Sequence, residues 1–210
     1  MHHFERDRAN GTGGTSIRNE VYIAAFAASI RMAVRENSHG CSAYRSNRKG
    51  SLMENEAKLR QHLVSLLTEP NAHATFDQAV ENMPVSKRGI RPENGDHSAW
   101  ELLEHLRITQ ADILDFSQNP NYQERKWPDT YWPDGPTPPD DDAWDEAVEA
   151  FRKNLKEFCK LIEDEKTDIY AKIPHGSGQT LLREALLIAD HNAYHVGQLI
   201  LVRQLLGTWK

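Results

Sequence analysis

Apolar residues recur at helical spacing in four long segments of the chain, and no segment alternates convincingly at strand spacing. Ser51-Leu52-Met53-Glu54 has the form of a capping box, with a hydroxyl at the N-cap and a carboxylate three residues on. Leu52, Leu59, Leu63, Leu66 and Leu67 follow, which predicts a helix over 52–68 stopped by Pro70. Thr75-Phe76-Asp77-Gln78 is a second capping signature and opens a short helix ending before Pro84. Pro84, Gly89, Pro92 and Gly95 make 84–97 a connection. Ser98-Ala99-Trp100-Glu101 then caps a helix over 99–117. Its apolar stripe is Leu102, His105, Leu106, Thr109, Ile113 and Phe116, with Glu101, Glu104 and Asp115 on the charged side. Acids at 140–142 suit a helix N-terminus. Trp144, Val148, Phe151, Leu155, Phe158 and Ile162 carry that helix over 141–164. After a turn-rich link with Pro174, Gly176 and Gly178, Thr180 caps a last helix running to about Leu206. Leu181, Ala185, Ile188, His195, Leu199, Val202 and Leu206 mark its inner face, with His191 beside it. The expected fold is all-α, a four-helix bundle with long connections.

Two stretches stand apart from this pattern. Residues 119–139 hold six of the ten prolines together with Trp127, Tyr131 and Trp132. A connection that long is uncommon in a compact domain and is often functional. Residues 1–20 show no periodicity and read as disordered, 21–35 can form a helix, and 38–50 is polar and loop-like. The domain division is therefore 1–50, a disordered or accessory extension, and 51–210, the bundle. Met53 sits where the regular pattern starts, so the extension reads either as upstream of the true start or as an accessory segment.

Charge sharpens that division. Residues 1–50 carry eight Lys/Arg against four Asp/Glu, and 51–210 carry 17 against 27. The whole is at −6, without a basic stripe for nucleic acid. The apolar run from Val21 to Ile30 is far short of the roughly 20 residues that span a bilayer. A long mixed polar segment after Met1 is unlike a secretory signal. Cys41 and Cys159 make neither a disulfide framework nor a metal motif, and reduced thiols in a cytoplasmic protein are expected.

The candidate chemistry lies in Asp190-His191-Asn192-Ala193-Tyr194-His195-Val196-Gly197-Gln198. Two histidines four apart share one helix face, and two neutral imidazoles so placed can grip one metal ion. The spacing alone leaves open a buried histidine pair satisfied by hydrogen bonds. His105, on the apolar stripe of another helix, is the candidate third ligand. Three imidazoles would leave an open coordination position for water or substrate. The zinc-protease pattern is rejected, because it needs Glu directly after the first His and Asn192 stands there. Paired Glu-x-x-His motifs of a di-iron bundle are absent, since Leu102, Ile188 and Asn192 occupy the preceding positions. Asp190 and Gln198 are candidate partners orienting the imidazoles. Tyr194 could face a cavity or pack between helices. His97 reads as a residue at the start of its helix, and His62, His73 and His175 as structural or exposed. Trp127, Tyr131 and Trp132 read either as a pocket lid or as an aromatic cover over the bundle end.

Ser98-Ala99-Trp100-Glu101-Leu102-Leu103-Glu104-His105-Leu106 and the 190–198 stretch, in this order, resemble the DinB-like superfamily, the damage-inducible four-helix-bundle group rather than the polymerase sharing that name. The resemblance spans about 52–209 and includes the Trp-rich loop and Pro174-His175-Gly176. It implies a divalent metal, zinc or nickel, held by one His on the second helix and two on the fourth, here His105, His191 and His195. It also implies pairing into dimers and, among characterised relatives, transferases and isomerases that use a low-molecular-weight thiol. The resulting expectation is a metal-dependent enzyme acting on a small-molecule substrate, of the thiol S-transferase kind. Metal-assisted hydrolysis and a non-catalytic metal-binding stress-response bundle are the alternatives.

Overall fold

The computed structural model describes residues 41–209, with side chains from Gly50 on. The disorder expected over 1–20 and the helix over 21–35 lie outside the described residues. Contacts divide the chain into two units, 1–49 and 50–210, and the bundle and site belong to the second. Four long helices carry it: α1 (Cys41–Thr68), α3 (Ala99–Gln118), α4 (Ala143–Glu163) and α5 (Leu181–Leu205), with a short α2 (Phe76–Val80) and a 3-10 turn at Val85–Lys87. Among the described residues there is no strand, only an isolated bridge between Lys172 and Thr180, so the all-α bundle is the fold.

Local chemistry sets most helix ends. Thr75 with Gln78, and Ser98 with Glu101, form complete capping boxes, and the Thr180 hydroxyl accepts from the Arg183 amide. The end of α5 is a Schellman motif. Thr208 N–H donates to Arg203 O at 2.8 Å and Gly207 N–H to Gln204 O at 3.1 Å, with Gly207 at φ 68°. One boundary differs from expectation. The helix does not open at Ser51; it runs through from Cys41, so residues 41–50 are helical rather than loop-like. Arg45, Asn47, Arg48 and Lys49 lack an apolar stripe, but nothing among them breaks a helix. With the helix already under way, the Ser51 signature has no free end to cap.

The core forms two apolar clusters. In one, Trp100, Leu103 and Leu106 meet Trp144, Phe151, Val196 and Leu199. In the other, Leu63 of α1 meets Ile113, Phe158, Ile162, Ile169, Leu181 and Ile188. Leu52, expected on the inner stripe of α1, is 61% exposed, and Leu66 is also exposed. Two buried arginines close helix ends. Arg60 donates to Ile162 O at 2.6 Å and to Asp164 O and Thr167 O, the carbonyls at and beyond the end of α4. Arg203 does the same for Ala79 O and Glu81 O at the end of α2. Both place a cation at a helix C-terminus, where it complements the dipole.

Glu101 and Glu104 are a second departure: both are buried rather than on a solvated face. Arg91 and Ser98 N–H hold Glu101, and Arg107 clasps Glu104 with bonds of 2.6 and 2.8 Å. Cys159 is a buried free thiol whose pKa burial, with Glu163 nearby, pushes up to about 11. It is therefore expected to resist iodoacetamide in the folded protein at pH 8 and to react fully in denaturant, as read by mass spectrometry. Rapid native labelling at Cys159 would contradict this packing.

Glu184 is also buried, and burial raises its carboxyl above the usual 4.5, opposed by the bonded Arg183 guanidinium. Because the folded chain holds this proton more tightly than the unfolded one, the group's stabilising contribution is lost as pH rises through the folded value. Glu184→Gln removes that loss. Its advantage over wild type in urea unfolding should grow between pH 4 and pH 7; a constant difference would show no shifted titration.

Candidate metal centre

The inner faces of α3 and α5 meet where His105, His191 and His195 stand. One ring nitrogen of each lies within 4.8 Å of one from each of the others. His191 Nε2 is 3.1 Å from His105 Nε2. The ring centroid of His195 lies 4.5 Å from those of both other histidines. His105 and His195 are buried and His191 is half-buried.

Hydrogen bonds set which nitrogens are bare. His105 Nδ1 is 2.8 Å from Tyr131 O, and a carbonyl only accepts, so Nδ1 carries the proton and Nε2 keeps its lone pair. His195 Nδ1 donates to Gln198 Oε1 at 2.7 Å, which likewise frees its Nε2. With His105 Nε2 bare, the contact at 3.1 Å is a hydrogen bond only if His191 Nε2 holds the proton. Burial, together with the neighbouring imidazoles, holds both His191 and His195 down at about 4. Burial also lowers His105. The shifts all favour the neutral ring, the state a metal requires.

The donor set fits a divalent first-row ion. Nitrogens bound tetrahedrally at about 2.0–2.1 Å stand about 3.3 Å apart, close to the 3.1 Å between His105 and His191. His105 and His195 have their distal protons occupied by fixed acceptors, the arrangement that orients ligating imidazoles. A bound ion would supply Lewis-acid polarisation and favour the thiolate form of a thiol.

The Pro-rich connection covers this centre. Trp132 stacks on His105 at 4.0 Å and on His97 at 4.2 Å, with planes within 4° and 13°, so the indole is held between two imidazoles. Tyr131 supplies the carbonyl to His105 and donates its hydroxyl to Asp112 Oδ2 at 2.6 Å. Tyr122 donates to Asp112 Oδ1 at 3.1 Å. Burial and the Asp112 carboxylate push both phenols up, Tyr122 to about 12. Trp127, by contrast, is exposed.

The remaining candidates fall as follows. Gln198 bonds His195, whereas Asp190 is exposed. Tyr194 faces neither a cavity nor a helix interface: it is 63% exposed, edge-on to His195, with its hydroxyl accepting from Gln198. His62 is exposed, and His73 and His175 bond backbone carbonyls at the surface. Four participants were not legible as such in the sequence: the Tyr131 carbonyl, Asp112, Gln110, and Asn192 as the partner of Gln110. Asn192 Nδ2 donates to Gln110 Oε1 at 2.9 Å, and Gln110 Nε2 to Phe151 O at 2.8 Å. Asp112 did leave a signal, since it follows His105 by seven residues and lies close to the same stripe.

A helical bundle with a histidine cluster drawn from two helices, ready for an ion, defines the class of this protein. A family profile described as the DinB superfamily matches residues 71–199, more than half of the chain, so the protein belongs to that superfamily. No curated protein and no solved structure matches it.

Proposed function

We propose that the protein is a metal-dependent enzyme of the thiol S-transferase kind, with His105, His191 and His195 holding zinc or nickel and a low-molecular-weight thiol as co-substrate. The observation that carries this reading is the pair of distal hydrogen bonds, from His105 to Tyr131 O and from His195 to Gln198, which leave both Nε2 lone pairs free, with one ring nitrogen of each histidine within 4.8 Å of the others. In the reaction, a thiolate sulfur forms a bond to an electrophilic carbon. The leaving group departs with its electron pair, and the thiol proton passes to solvent. The chain contributes neutral imidazoles, exclusion of water by Trp132 and the bundle, and a fixed register between two helices. Pairing of two copies is part of the same reading, supported by Leu186, Leu201 and Leu205, exposed on α5.

The test is a panel of cellular thiols offered with an aryl halide to protein loaded with zinc or nickel. Thiol consumption that a chelator abolishes is the expected outcome. Absence of turnover with every thiol would sink the transferase reading. A second reading, a metal-holding bundle without turnover, is favoured by one observation. A groove of about 770 Å³ runs past α5, lined by Asp190, Asn192, Ala193 and Val196 but by none of the three histidines.

A further inference from the structure

Asp112 sits on α3 seven residues beyond His105, two turns and about 10 Å along the axis. Both of its carboxylate oxygens accept phenols from the Pro-rich connection, Tyr122 at 3.1 Å and Tyr131 at 2.6 Å. Tyr131 thus touches α3 twice, its hydroxyl on Asp112 and its carbonyl on His105 Nδ1. The connection has other anchors. Ser98 Oγ donates to Pro136 O, Arg125 to Thr130 O, and Trp132 is stacked in place. Ser98 and Trp132 tie the segment to the bundle, and the Arg125 bond closes a turn within it; the Trp132 stack sets the carbonyl's side of the His105 ring, and the Tyr131 hydroxyl on Asp112 adds a second hold along α3.

We propose that Asp112 is a positioning residue for the metal centre: by holding the Tyr131 hydroxyl it sets the Tyr131 carbonyl on His105 Nδ1, and so keeps Nε2 bare and turned toward the ion. This rests on the ligand assignment above. A side chain two turns from the ligand thereby sets the ligand's tautomer through one intervening residue. Partners that orient ligating histidines typically carry about 10- to 100-fold in metal affinity. Tyr122 is an internal control, because it bonds the same carboxylate while its ring neighbours are Phe116 and His175 rather than the three candidate ligands.

The experiment measures zinc affinity of the full chain by chelator competition, and the His105 ring tautomer in the metal-free protein by nitrogen-15 NMR. Tyr131→Phe and Asp112→Leu are each expected to weaken zinc about 10-fold or more, and the double variant no more than the worse single, since both break one link. Asp112→Asn, which keeps an acceptor, restores most of the affinity. Tyr122→Phe stays within about twofold of wild type, below the 10- to 100-fold loss of an orienting partner. Metal-free wild type shows the Nδ1–H tautomer at His105, and Tyr131→Phe a mixture. The proposal is overturned if Tyr131→Phe binds zinc like wild type and keeps a single tautomer. It is equally overturned if the losses of the two singles multiply, or if the variants lower only the melting temperature. Failure of wild type to bind zinc would sink the ligand assignment instead, and the tautomer measurement would still decide whether Asp112 and Tyr131 set the ring.

Discussion

Replacing His191 with alanine is expected to empty the protein of metal. Structural zinc sites bind with about 10–16 kcal/mol, near 3 kcal/mol per ligand when shared among four. Losing one of three imidazoles therefore weakens binding more than roughly a hundredfold. The stability readout follows from linkage. Metal at 100 times Kd stabilises wild type by about 2.7 kcal/mol, which raises Tm by about 5–10 °C for a domain of this size. The same metal concentration leaves His191→Ala close to its metal-free Tm. Elemental analysis of the purified variant checks the first outcome and differential scanning calorimetry the second. Unchanged metal content in His191→Ala would remove the site. The variant also loses the contact to His105 at 3.1 Å, so the metal-free proteins must be compared alongside.

The second large effect is at Arg60. Arg60 is 6% exposed, and its guanidinium serves three carbonyls at and beyond the end of α4 while also bonding Glu56. Arg60→Met keeps the apolar stem and deletes every one of these bonds. Hydrogen bonds from charged donors are worth about 1.5–3 kcal/mol each, with an added penalty for acceptors left buried. Arg60→Met should cost at least about 3 kcal/mol, lowering the urea midpoint by about 1–2 M at an ordinary m-value. Glu56→Ala, which removes only the half-exposed partner, should cost about 1 kcal/mol or less. Equal losses in the two variants would show that the ion pair, not the capped carbonyls, carries the effect.

Much of the bundle was legible because helix ends and helix faces have local causes. Thr75, Ser98 and Thr180 cap where their hydroxyls predict, and the stripes through Leu102–Phe116 and Trp144–Ile162 point inward. The start of α1 was not legible, since the Ser51 motif matters only if the backbone before it is not already helical. The burial of Glu101 and Glu104 was hidden for a different reason. Their charges read as solvated until Arg91 and Arg107 are seen folded over them. At the site, the spacing of His191 and His195 and the placement of His105 followed from helical periodicity. The Tyr131 carbonyl and the Trp132 stack did not, because a proline-rich connection has no period from which to read register.

Gln110, 1% exposed, sits five residues past His105, and its partner Asn192 is next to His191. A purely apolar seam between α3 and α5 would tolerate sliding, because leucine against leucine is nearly as good one turn along. The amide pair is not so forgiving: a slip of one turn, about 5.4 Å, would leave the Asn192 amide and the Gln110 amide oxygen without each other among hydrocarbon. The same slip would carry His105 out of reach of His191 and His195. The amide clasp therefore acts as a ratchet stop, and the meeting of ligands from two separate rods depends on a bond between two side chains that are not themselves ligands.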